Sequence, residues 1–548
     1  MRKLQERNPK WLNDDYVKFI RSAEAMIERT GEGVLGFVTN HGYLDNPTFR
    51  GMRWHLMNTF DSIRVIDLHG NSMKREICPG GSPDKNVFDI KQGVAIIIAV
   101  KHRHDSNTNK SLAELRHGDL WGSREIKGKA LRTGNASSLA NNLLPPRAPQ
   151  YPFVARNYGI EEKYAQGFSI AELMPVNSVG IVTARDDLTI DMDRQELWRR
   201  VVDFADSDVE TLRSRYRLGK DTRDWRVGMA KSDVIANNSP AAIIPIAYRP
   251  LDHRWTFYTG TSRGFQCMPR REVMRNFLQG ANMAIMTPRQ AIQGGEGYSH
   301  VVAVDKVVDN RCVFSNKGIA QQFPLYLFPA DGAVDRTIRV NYNSEVYAQI
   351  LNAAGLKSTP AETVNYPAIR SATGDTRSNE VKVFDYIYGV LHCPHYRSTY
   401  GEFLRIDFPR IPFPPSSSVF KTVSEHGEAL RRLHLMEDAA IGATDFPFHG
   451  DGSNVVDKPR FADHCVWINE NQYFANIPKV AWDLPMGGYR PAQKWLKDRK
   501  GHTLNQDDVR HYQRIIKILA ETDRIMQLIV LTDEQHLVNQ HAVPGDDE

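Results

Sequence analysis

Arginine and aromatic side chains alternate along one segment, from Tyr248 to Arg275. Its arginines and its tryptophan are Arg249, Arg254, Trp255, Arg263, Arg270, Arg271 and Arg275. A guanidinium group can fork onto a phosphate or a guanine edge, and an aromatic face can stack on an unpaired base. This composition favours a nucleic-acid interface, although a solvated basic face over a packed hairpin would have the same composition. The residues of the segment leave both interpretations open.

A second basic cluster, Lys494 to Lys500 (KWLKDRK), lies towards the end of the chain. Clusters of this size are usually solvated surface. The whole chain has a formal net charge of +5 at pH 7 and a pI near 8.7. This mild excess of positive charge is compatible with a nucleic-acid partner, but an ordinary surface would also produce it.

Polar residues follow the first apolar run of the chain, VLGFV. These residues are Thr39, Asn40 and His41. Ligand sites in open α/β sheets gather at the carboxyl ends of parallel strands, so we predict that the three residues mark the edge of an active site. The alternative is that Asn40 merely ends the strand.

Several other patterns do not indicate chemistry. Gly31 to Gly36 spells G-x-G-x-x-G, but a helix is predicted before it and a strand after it, which is the reverse of a nucleotide-binding loop. The sequence contains no nucleophile elbow and no phosphate-binding lysine loop. His102 and His104 share a polar loop, and the five cysteines are scattered, so we predict no metal site.

The front of the chain is predicted to form part of a parallel α/β sheet. A helix capped by Asn13 precedes a strand at Val34–Thr39, whose apolar run indicates burial on both faces, and Pro47 starts a second helix. Further strands are predicted at Ile63–Leu68 and Val94–Val100. So few strands are not self-sufficient, and the first one should have an edge without a neighbour. We therefore expect the rear half of a sheet, which upstream strands or another chain would complete.

Proline-rich segments after Leu144 and before Ser416 divide the chain into three predicted regions, 1–144, 145–415 and 416–548. The first is the α/β region, the second is α+β, and the third is helical and ends in a long helix capped by Asn505. A content of 41% hydrophobic and 25% charged residues is typical of soluble globular proteins. We see no signal peptide and no apolar run that could cross a membrane, so a cytoplasmic location is predicted.

Long runs of the sequence closely resemble a known family, the Type ISP restriction–modification enzymes. These are large single-chain bacterial proteins that methylate adenine in DNA and also cut DNA. The runs Asn8–Arg21, Gly36–Arg53 and Asp67–Asn71 resemble the later part of the family's methyltransferase domain. The resemblance to the family's specificity region is carried by Arg249–Trp255, Phe323–Leu327, Phe403–Pro412, Gly487–Tyr489, Lys494–Gly501 and Asp508–Gln513.

The resemblance implies a fold and a role. The fold would be α/β, a partial Rossmann-like methyltransferase sheet with the rear strands only, followed by an α+β specificity domain and a helical carboxyl-terminal part. Residues 145–415 would recognise an asymmetric site in double-stranded DNA, and 416–548 would support them. The resemblance favours the arginine-rich segment as the DNA-facing surface. It also implies an adenine-specific, S-adenosylmethionine-dependent system of phage defence that acts at the bacterial nucleoid.

The departures from the family pattern are equally informative. In the family, the nuclease and helicase domains, the S-adenosylmethionine loop and an Asn-Pro-Pro-Tyr turn all lie before the matching segment. Asn8-Pro9-Lys10-Trp11 resembles that turn only superficially, since it lacks the second proline and precedes a helix. We therefore assign no catalytic and no cofactor-binding residue.

The expectation from these departures is a truncated Type ISP-like protein. It would recognise DNA without binding the methyl donor and without methylating DNA on its own. One alternative is the rear part of a split enzyme that an upstream-encoded chain completes. Another is a non-enzymatic DNA-binding subunit or an inert gene remnant.

Overall fold

The structure is a computed structural model that describes residues 9–73, 76–103, 111–156, 158–290, 297–314, 318–330, 332–357 and 372–532. These residues form two compact units, one running to Gly159 and the other starting at Ile160. None of the described helices combines the length and the hydropathy needed to span a bilayer. All five cysteines are unpaired thiols.

The first unit contains one mixed sheet and several helices. Its elements are α1 (Asp15–Thr30), β1 (Gly33–Asn40), α2 (Arg50–Thr59), β2 (Ser62–Asp67), β3 (Val94–Lys101), β4 (Glu114–Asp119), α3 (Arg124–Thr133), α4 (Ala136–Leu139) and β5 (Asn142–Leu144). The predicted helices and strands are confirmed to within a few residues. Asp14, not Asn13, is the residue before α1, because Asn13 belongs to a short 3-10 helix. Gly31 turns the chain out of α1 with a φ of 82°, a conformation that glycine adopts readily.

The strand order in this sheet is β1-β3-β2-β4-β5. β3 lies between β1 and β2 and is antiparallel to both, whereas β2 and β4 are parallel. The prediction of a parallel sheet is therefore wrong for β3. A parallel connection needs a crossover, usually a helix, and the described residues between β2 and β3 contain no helix. β1, β2 and β4 point in the same direction, so their carboxyl ends lie at one edge of the sheet.

One face of the sheet is covered and the other is partly open at β1. Leu35 of β1 lies in a core with residues of α1 and α2, including Ile20 and Leu56. On the opposite face, Val34 and Val38 are 66% and 49% exposed. Burial of this strand on both faces was the expectation, and it is wrong for the described part of the chain. The expected open edge is present there, since β3 is the only strand with which β1 pairs.

The second unit contains several small sheets and many helices. Starting with the helix at the division between the units, the elements are α5 (Tyr158–Ala165), β6 (Phe168–Ser169), α6 (Ile170–Leu173), β7 (Ser178–Val179), α7 (Asp186–Thr189), β8 (Ile190–Asp191), α8 (Arg194–Asp206), α9 (Val209–Arg215), α10 (Val227–Ala236), β9 (Ile243–Arg249), β10 (Asp252–Phe257), α11 (Arg271–Met274), β11 (Ala284–Pro288), β12 (Val302–Val304), β13 (Val307–Val308), β14 (Ala320–Pro324), β15 (Tyr326–Leu327), β16 (Arg339–Val340), α12 (Ser344–Ala353), α13 (Asn379–His392), α14 (Pro394–Thr399), α15 (Gly401–Leu404), β17 (Arg410–Ile411), α16 (Ser417–His434), α17 (Asp438–Ile441), β18 (Phe448–His449), β19 (Arg460–Ala462), β20 (Cys465–Trp467), β21 (Tyr473–Phe474), α18 (Lys479–Asp483), α19 (Pro491–Asp498) and α20 (Gln506–Leu528).

Two four-stranded sheets form the middle of this unit. Their orders are β13-β9-β10-β8 and β12-β11-β14-β7. The hairpin of β9 and β10 carries part of the arginine-rich segment, with its register shifting between Asp252 and His253. Helices α8, α9 and α10 build a separate apolar cluster against this hairpin, which includes Leu197, Trp225 and Phe257. The chain therefore has the mixed α/β architecture that was expected of it.

The region after Ser416 is helical, as predicted, but it also contains a sheet. α20 begins with the predicted capping box, in which Asn505 and Asp508 satisfy each other's backbone N–H groups. Long helices α13 and α16 pack so closely that a methyl group at Gly427 would collide with the carbonyl oxygen of Asp385. Strands β18 to β21 form a further four-stranded sheet that the sequence pattern does not indicate.

Candidate nucleic-acid interface and a buried histidine cluster

Thr39, Asn40 and His41 lie at the point where β1 ends. The side chain of Asn40 accepts a hydrogen bond from the Gly42 backbone N–H at 2.7 Å, so it caps the short 3-10 helix His41–Tyr43. Thr39 and His41 are buried. The Thr39 hydroxyl has no hydrogen-bond partner among the described residues. Asn40 thus has a local structural role, while His41 belongs to a larger group of side chains.

Histidines and carboxylates converge at this edge of the sheet. His41 Nδ1 lies 3.1 Å from Asp67 Oδ1, and His69 Nε2 lies 2.8 Å from Asp119 Oδ1. His41 Nε2 also lies 3.9 Å from Glu76 Oε1. We call these five residues the histidine–carboxylate cluster. Asp67 and Asp119 end neighbouring parallel strands, and His41 follows a third strand, which is why residues far apart in the sequence meet here.

The environment of the cluster fixes its side chains. The ring of His69 stacks on Trp121, with 3.4 Å between the ring centroids. Burial opposes ionisation of Asp67, but the hydrogen bond from His41 and the charges of His41 and His69 outweigh it and lower the pKa of Asp67 below its usual value. His117 lies beside Asp119, and burial lowers the pKa of its imidazole.

Ligand-type atoms within the cluster are close enough to hold a metal ion. One ring nitrogen each from His41 and His69 and one oxygen of Glu76 all lie within 4.8 Å of one another. The sequence pattern did not indicate them, because His41 follows β1 whereas His69 and Glu76 lie in the loop after β2, so the three share no short spacing. Of the two histidines singled out in the sequence, His102 is exposed and His104 lies outside the described residues.

The arginine-rich segment begins in the β9–β10 hairpin, where two of its arginines are engaged inside the protein. Arg249 is buried, and its Nη1 donates to Asp309 Oδ1 at 2.7 Å. Burial alone would lower the pKa of Arg249, but Asp309 and neighbouring groups raise it, so the guanidinium stays charged. Arg254 donates from Nη2 to Asp252 at 2.9 Å and to Asp498 at 3.0 Å. The Asp498 contact joins the hairpin to the second basic cluster of the sequence.

Both of these arginines also lie over one aromatic ring. The guanidinium carbons of Arg249 and Arg254 are 3.7 and 3.9 Å from the ring centroid of Tyr248. Lys494 of the second basic cluster contacts the ring of Tyr489, as does Arg249. Cations, carboxylates and rings therefore form one intramolecular network, and the described contacts account for much of the charge in this part of the segment.

The other candidates of the segment differ in exposure. Arg263 and Arg271 are exposed, and Arg270 is half-buried. Arg275 donates to the carbonyl oxygen of Phe328 at 2.8 Å. Trp255 is half-buried, with the Arg194 guanidinium 5.6 Å from the centroid of its ring. The segment is therefore a set of residues with separate roles, and not one continuous surface.

Exposed cations that sequence reasoning missed lie in a loop that contacts the loop of Arg263. They are Arg217, Lys220 and Arg226, which lie in or next to the loop between α9 and α10. Trp225 Nε1 donates to the carbonyl oxygen of Phe265 at 3.3 Å, which joins this loop to the loop that carries Arg263. In the sequence these cations are interspersed with carboxylates, so they do not form a recognisable basic run. In the structure, however, Asp221 and Asp224 form ion pairs with other arginines, Arg213 and Arg223.

We call Arg217, Lys220, Arg226 and Arg263 the basic surface. None of these four side chains makes a hydrogen bond or an ion pair with the described residues. Arg185 stabilises the loop that carries most of the basic surface, because its guanidinium donates to the Leu218 carbonyl oxygen and lies over the Trp225 ring. The loop of the basic surface is thus held in place, and its cations form no direct ion pair with the described residues, although Arg226 and Arg263 help to lower the pKa of the nearby Asp221 and Asp224.

Comparison with known proteins shows what the chain is similar to. The family model of the Type ISP C-terminal specificity domain matches residues 172–528. A cryo-electron-microscopy structure of a DrdV–DNA complex aligns with a TM-score of 0.65 and 20% identity, covering 97% of this chain and 53% of that one. No curated protein sequence matches the chain.

Two further solved structures are similar. One is the ATP-dependent Type ISP restriction–modification enzyme LlaBIII bound to DNA, with a TM-score of 0.65, 18% identity and coverage of 96% of this chain and 34% of that one. The other is a nuclease-deletion mutant of the Type ISP enzyme LlaGI with a DNA substrate mimic, with a TM-score of 0.62, 17% identity and coverage of 96% and 41%. These likenesses concern the fold, and the chain spans about half or less of the length of each protein.

Proposed function

The chain belongs to the family of the Type ISP C-terminal specificity domain, and from this premise we propose that it recognises a specific sequence in double-stranded DNA. DrdV, LlaBIII and LlaGI were each solved with DNA or a DNA mimic. By the family resemblance, the recognised site would direct adenine methylation. We propose the same role for this chain, acting on DNA in a bacterial cytoplasm.

The observation that carries this proposal is the basic surface. Arg217, Lys220, Arg226 and Arg263 lie within the range that the family model matches, and carboxylates of the described protein do not pair with them. Contacts from lysine and arginine to phosphates supply most of the sequence-independent affinity for DNA and set the register of the protein on the duplex. We propose that the basic surface binds the DNA backbone.

The candidate arginines of the segment then divide by role. We propose that Arg263 and Arg271 face DNA, since both are exposed. Arg249 and Arg254 instead hold the hairpin against Asp309 and Asp498, because their guanidinium groups are committed to these carboxylates. Arg270, Arg275 and Trp255 are half-buried and would position the loops that carry the exposed residues.

We also propose that a further polypeptide segment covers the open side of the first unit. The exposed Val34 and Val38 lie opposite Val100 and Ile96, respectively, in the β1–β3 pairing, as part of a half-exposed apolar face. An apolar strand with an unpaired edge favours pairing with another strand. The proposed occupant is the remainder of a methyltransferase domain, carried by an upstream segment or by an upstream-encoded chain. Thr39 and His41 would then lie at the edge of the completed active site.

We propose that the methyl donor binds to the completed methyltransferase domain and not to this chain alone. The Gly31–Gly36 glycines do not fit S-adenosylmethionine, because they connect α1 to a strand and no helix N-terminus follows them. We therefore propose that methyl transfer requires the additional segment. Labelled S-adenosylmethionine incubated with this chain and adenine-containing DNA should yield no labelled DNA, and clear incorporation would contradict this part of the proposal.

Selection from a pool of random-sequence duplexes tests DNA recognition itself. The purified full chain should enrich one asymmetric sequence after several rounds. A variant in which Arg217 and Arg263 are both replaced by glutamine should enrich the same sequence with a lower yield, because backbone contacts carry no base information. Recovery of unrelated sequences from independent selections would contradict sequence-specific recognition and would favour a non-specific DNA-binding remnant.

A further inference from the structure

We propose that the histidine–carboxylate cluster of the first unit binds one divalent transition-metal ion of the Zn²⁺ class, with His41, His69 and Glu76 as its protein ligands. This inference is independent of DNA recognition, which is proposed for the second unit. Two imidazoles and one carboxylate, with a remaining position for water, are a ligand set that suits zinc and related borderline ions.

The spacing of the ligand atoms agrees with such an ion. The ring nitrogens of His41 and His69 and an oxygen of Glu76 lie within 4.8 Å of one another, and His41 Nε2 is 3.9 Å from Glu76 Oε1. An ion about 2.1 Å from each ligand in tetrahedral geometry would hold two ligands roughly 3.4 Å apart. A movement of about half an ångström would close the His41–Glu76 pair, and the other ligand atoms would have to approach by no more than about 1.4 Å.

Hydrogen bonding prepares both imidazoles as ligands. His41 Nδ1 faces Asp67 and His41 Nε2 faces Glu76, so the tautomer that donates from Nδ1 to Asp67 would present Nε2 as a ligand. His69 Nε2 likewise faces Asp119, and His69 Nδ1 lies 3.7 Å from Asp67 Oδ2. Carboxylates that orient a metal-binding histidine through its second nitrogen are a regular feature of such sites. The amide of Asn71 lies 3.4 Å from His41 Nε2, which is a long contact for a hydrogen bond.

The negative charge of the three carboxylates in the cluster also favours a bound cation. Asp67, Glu76 and Asp119 form no ion pair with a lysine or arginine of the described chain. Asp67 is buried and Glu76 is largely buried, and such carboxylates are costly unless a positive charge lies beside them. The other glutamate-containing trio that could ligate a metal, Glu24, Glu28 and His55, differs in this respect because Arg21 bonds both of its glutamates.

The ligands are also held in place before an ion arrives. Trp121 stacks on the ring of His69, and the backbone at Gly93 packs so closely on the ring of His41 that a methyl group there would collide with it. Rigid ligands lose little conformational freedom on binding. The bound ion would connect β1 to the loop after β2 and stiffen this edge of the sheet.

The test measures metal binding to the full chain after treatment with EDTA and dialysis. Calorimetric titration with ZnCl₂ should give one equivalent per chain, and elemental analysis after gel filtration should find the same content. Asp119→Asn, which weakens the hydrogen bond that orients His69, should weaken binding roughly 10- to 100-fold. Glu76→Gln and His69→Gln should weaken it more, and Co²⁺ in the wild-type chain should give the visible absorption of a low-coordinate nitrogen and oxygen site.

His55→Gln is the matched control, because it alters a histidine–glutamate group that Arg21 already neutralises. Its affinity for Zn²⁺ should equal that of the wild type, and circular dichroism should show every variant folded. Absence of stoichiometric binding would overturn the proposal. Equal affinity in the wild type, Glu76→Gln and Asp119→Asn would also overturn it, because the ion would then lie elsewhere.

Discussion

Replacing Arg217 and Arg263 by glutamine removes two charges from the basic surface without shortening the side chains much. Both residues are exposed and unpaired with the described protein, so the fold should be unaffected and the free energy of unfolding should change by less than about 0.5 kcal/mol. The effect of this double substitution on DNA binding therefore reports on contact with DNA and not on stability.

The size of the effect follows from counter-ion release. Each lost phosphate contact should reduce the slope of log affinity against log salt concentration by about 0.9, so the double variant should lose about 1.8 from the slope. Between 50 and 200 mM salt, this difference makes the affinity of the variant about 10-fold less sensitive to salt than that of the wild type. The change should be the same for the selected duplex and for a shuffled one, since phosphates carry no sequence information.

Fluorescence anisotropy with a labelled duplex at several salt concentrations measures these slopes. The matched control replaces Arg336 and Arg405 by glutamine, which are likewise exposed and in no ion pair within the described residues. It should leave the slope within error of the wild type. An unchanged slope for Arg217 and Arg263, or an equal loss in the control, would refute the assignment of the basic surface to the DNA backbone.

Three further predictions concern the framework that supports this surface. Arg254→Ala removes the guanidinium that bonds Asp252 and Asp498, so the free energy of unfolding in urea should fall by about 3 kcal/mol while the salt slope of DNA binding stays unchanged. An unchanged stability would contradict the internal role given to Arg254. Gly427→Ala should destabilise the chain by about 1–3 kcal/mol through collision with the Asp385 carbonyl, whereas Gly228→Ala in α10, with open space around it, should be neutral or stabilising in the same thermal melt. Equal melting temperatures of the two variants would contradict the close approach of α13 and α16. Burial lowers the pKa of His300 from 6.5 to about 4, so the contribution of its neutral form to stability is complete above pH 6.5 and is lost as the pH falls towards 4. His300→Phe should therefore remove about 3 kcal/mol of the pH dependence of the free energy of unfolding. An identical pH profile for the variant and the wild type would refute this prediction.

Local signals in the sequence predicted individual elements well. The capping residue Asn505 marks the start of α20 correctly, and the apolar run after Gly33 marks β1. These signals depend on neighbours within a few residues, so no knowledge of the fold is needed to read them. The direction of β3 is different, because its apolar run is the same whether its neighbours are parallel or antiparallel. Strands of two or three residues, such as β18 and β21, are too short to show an alternating pattern.

The residues of the candidate sites were harder to predict, for a physical reason. Arg249 and Arg263 look alike in the sequence, yet one is buried against Asp309 and the other is exposed on a loop. The contacts that position them, Arg249 with Asp309 and Trp225 with Phe265 in the loop of Arg263, join residues 60 and 40 positions apart, which composition does not encode. The histidine–carboxylate cluster shows the same limit, since His41 and Asp119 meet only because β1, β2 and β4 end at one edge of the sheet.

Equilibrium titration of the full chain with two duplexes tests sequence-specific DNA recognition most directly. One duplex would carry the sequence enriched by selection, and the other the same bases in shuffled order, both at one fixed salt concentration near the physiological value. Specific readers of DNA bind their site at least about 10³-fold more tightly than unrelated DNA, and we expect a ratio of that order here. Equal affinity for the two duplexes would contradict the proposed function, whatever the strength of binding.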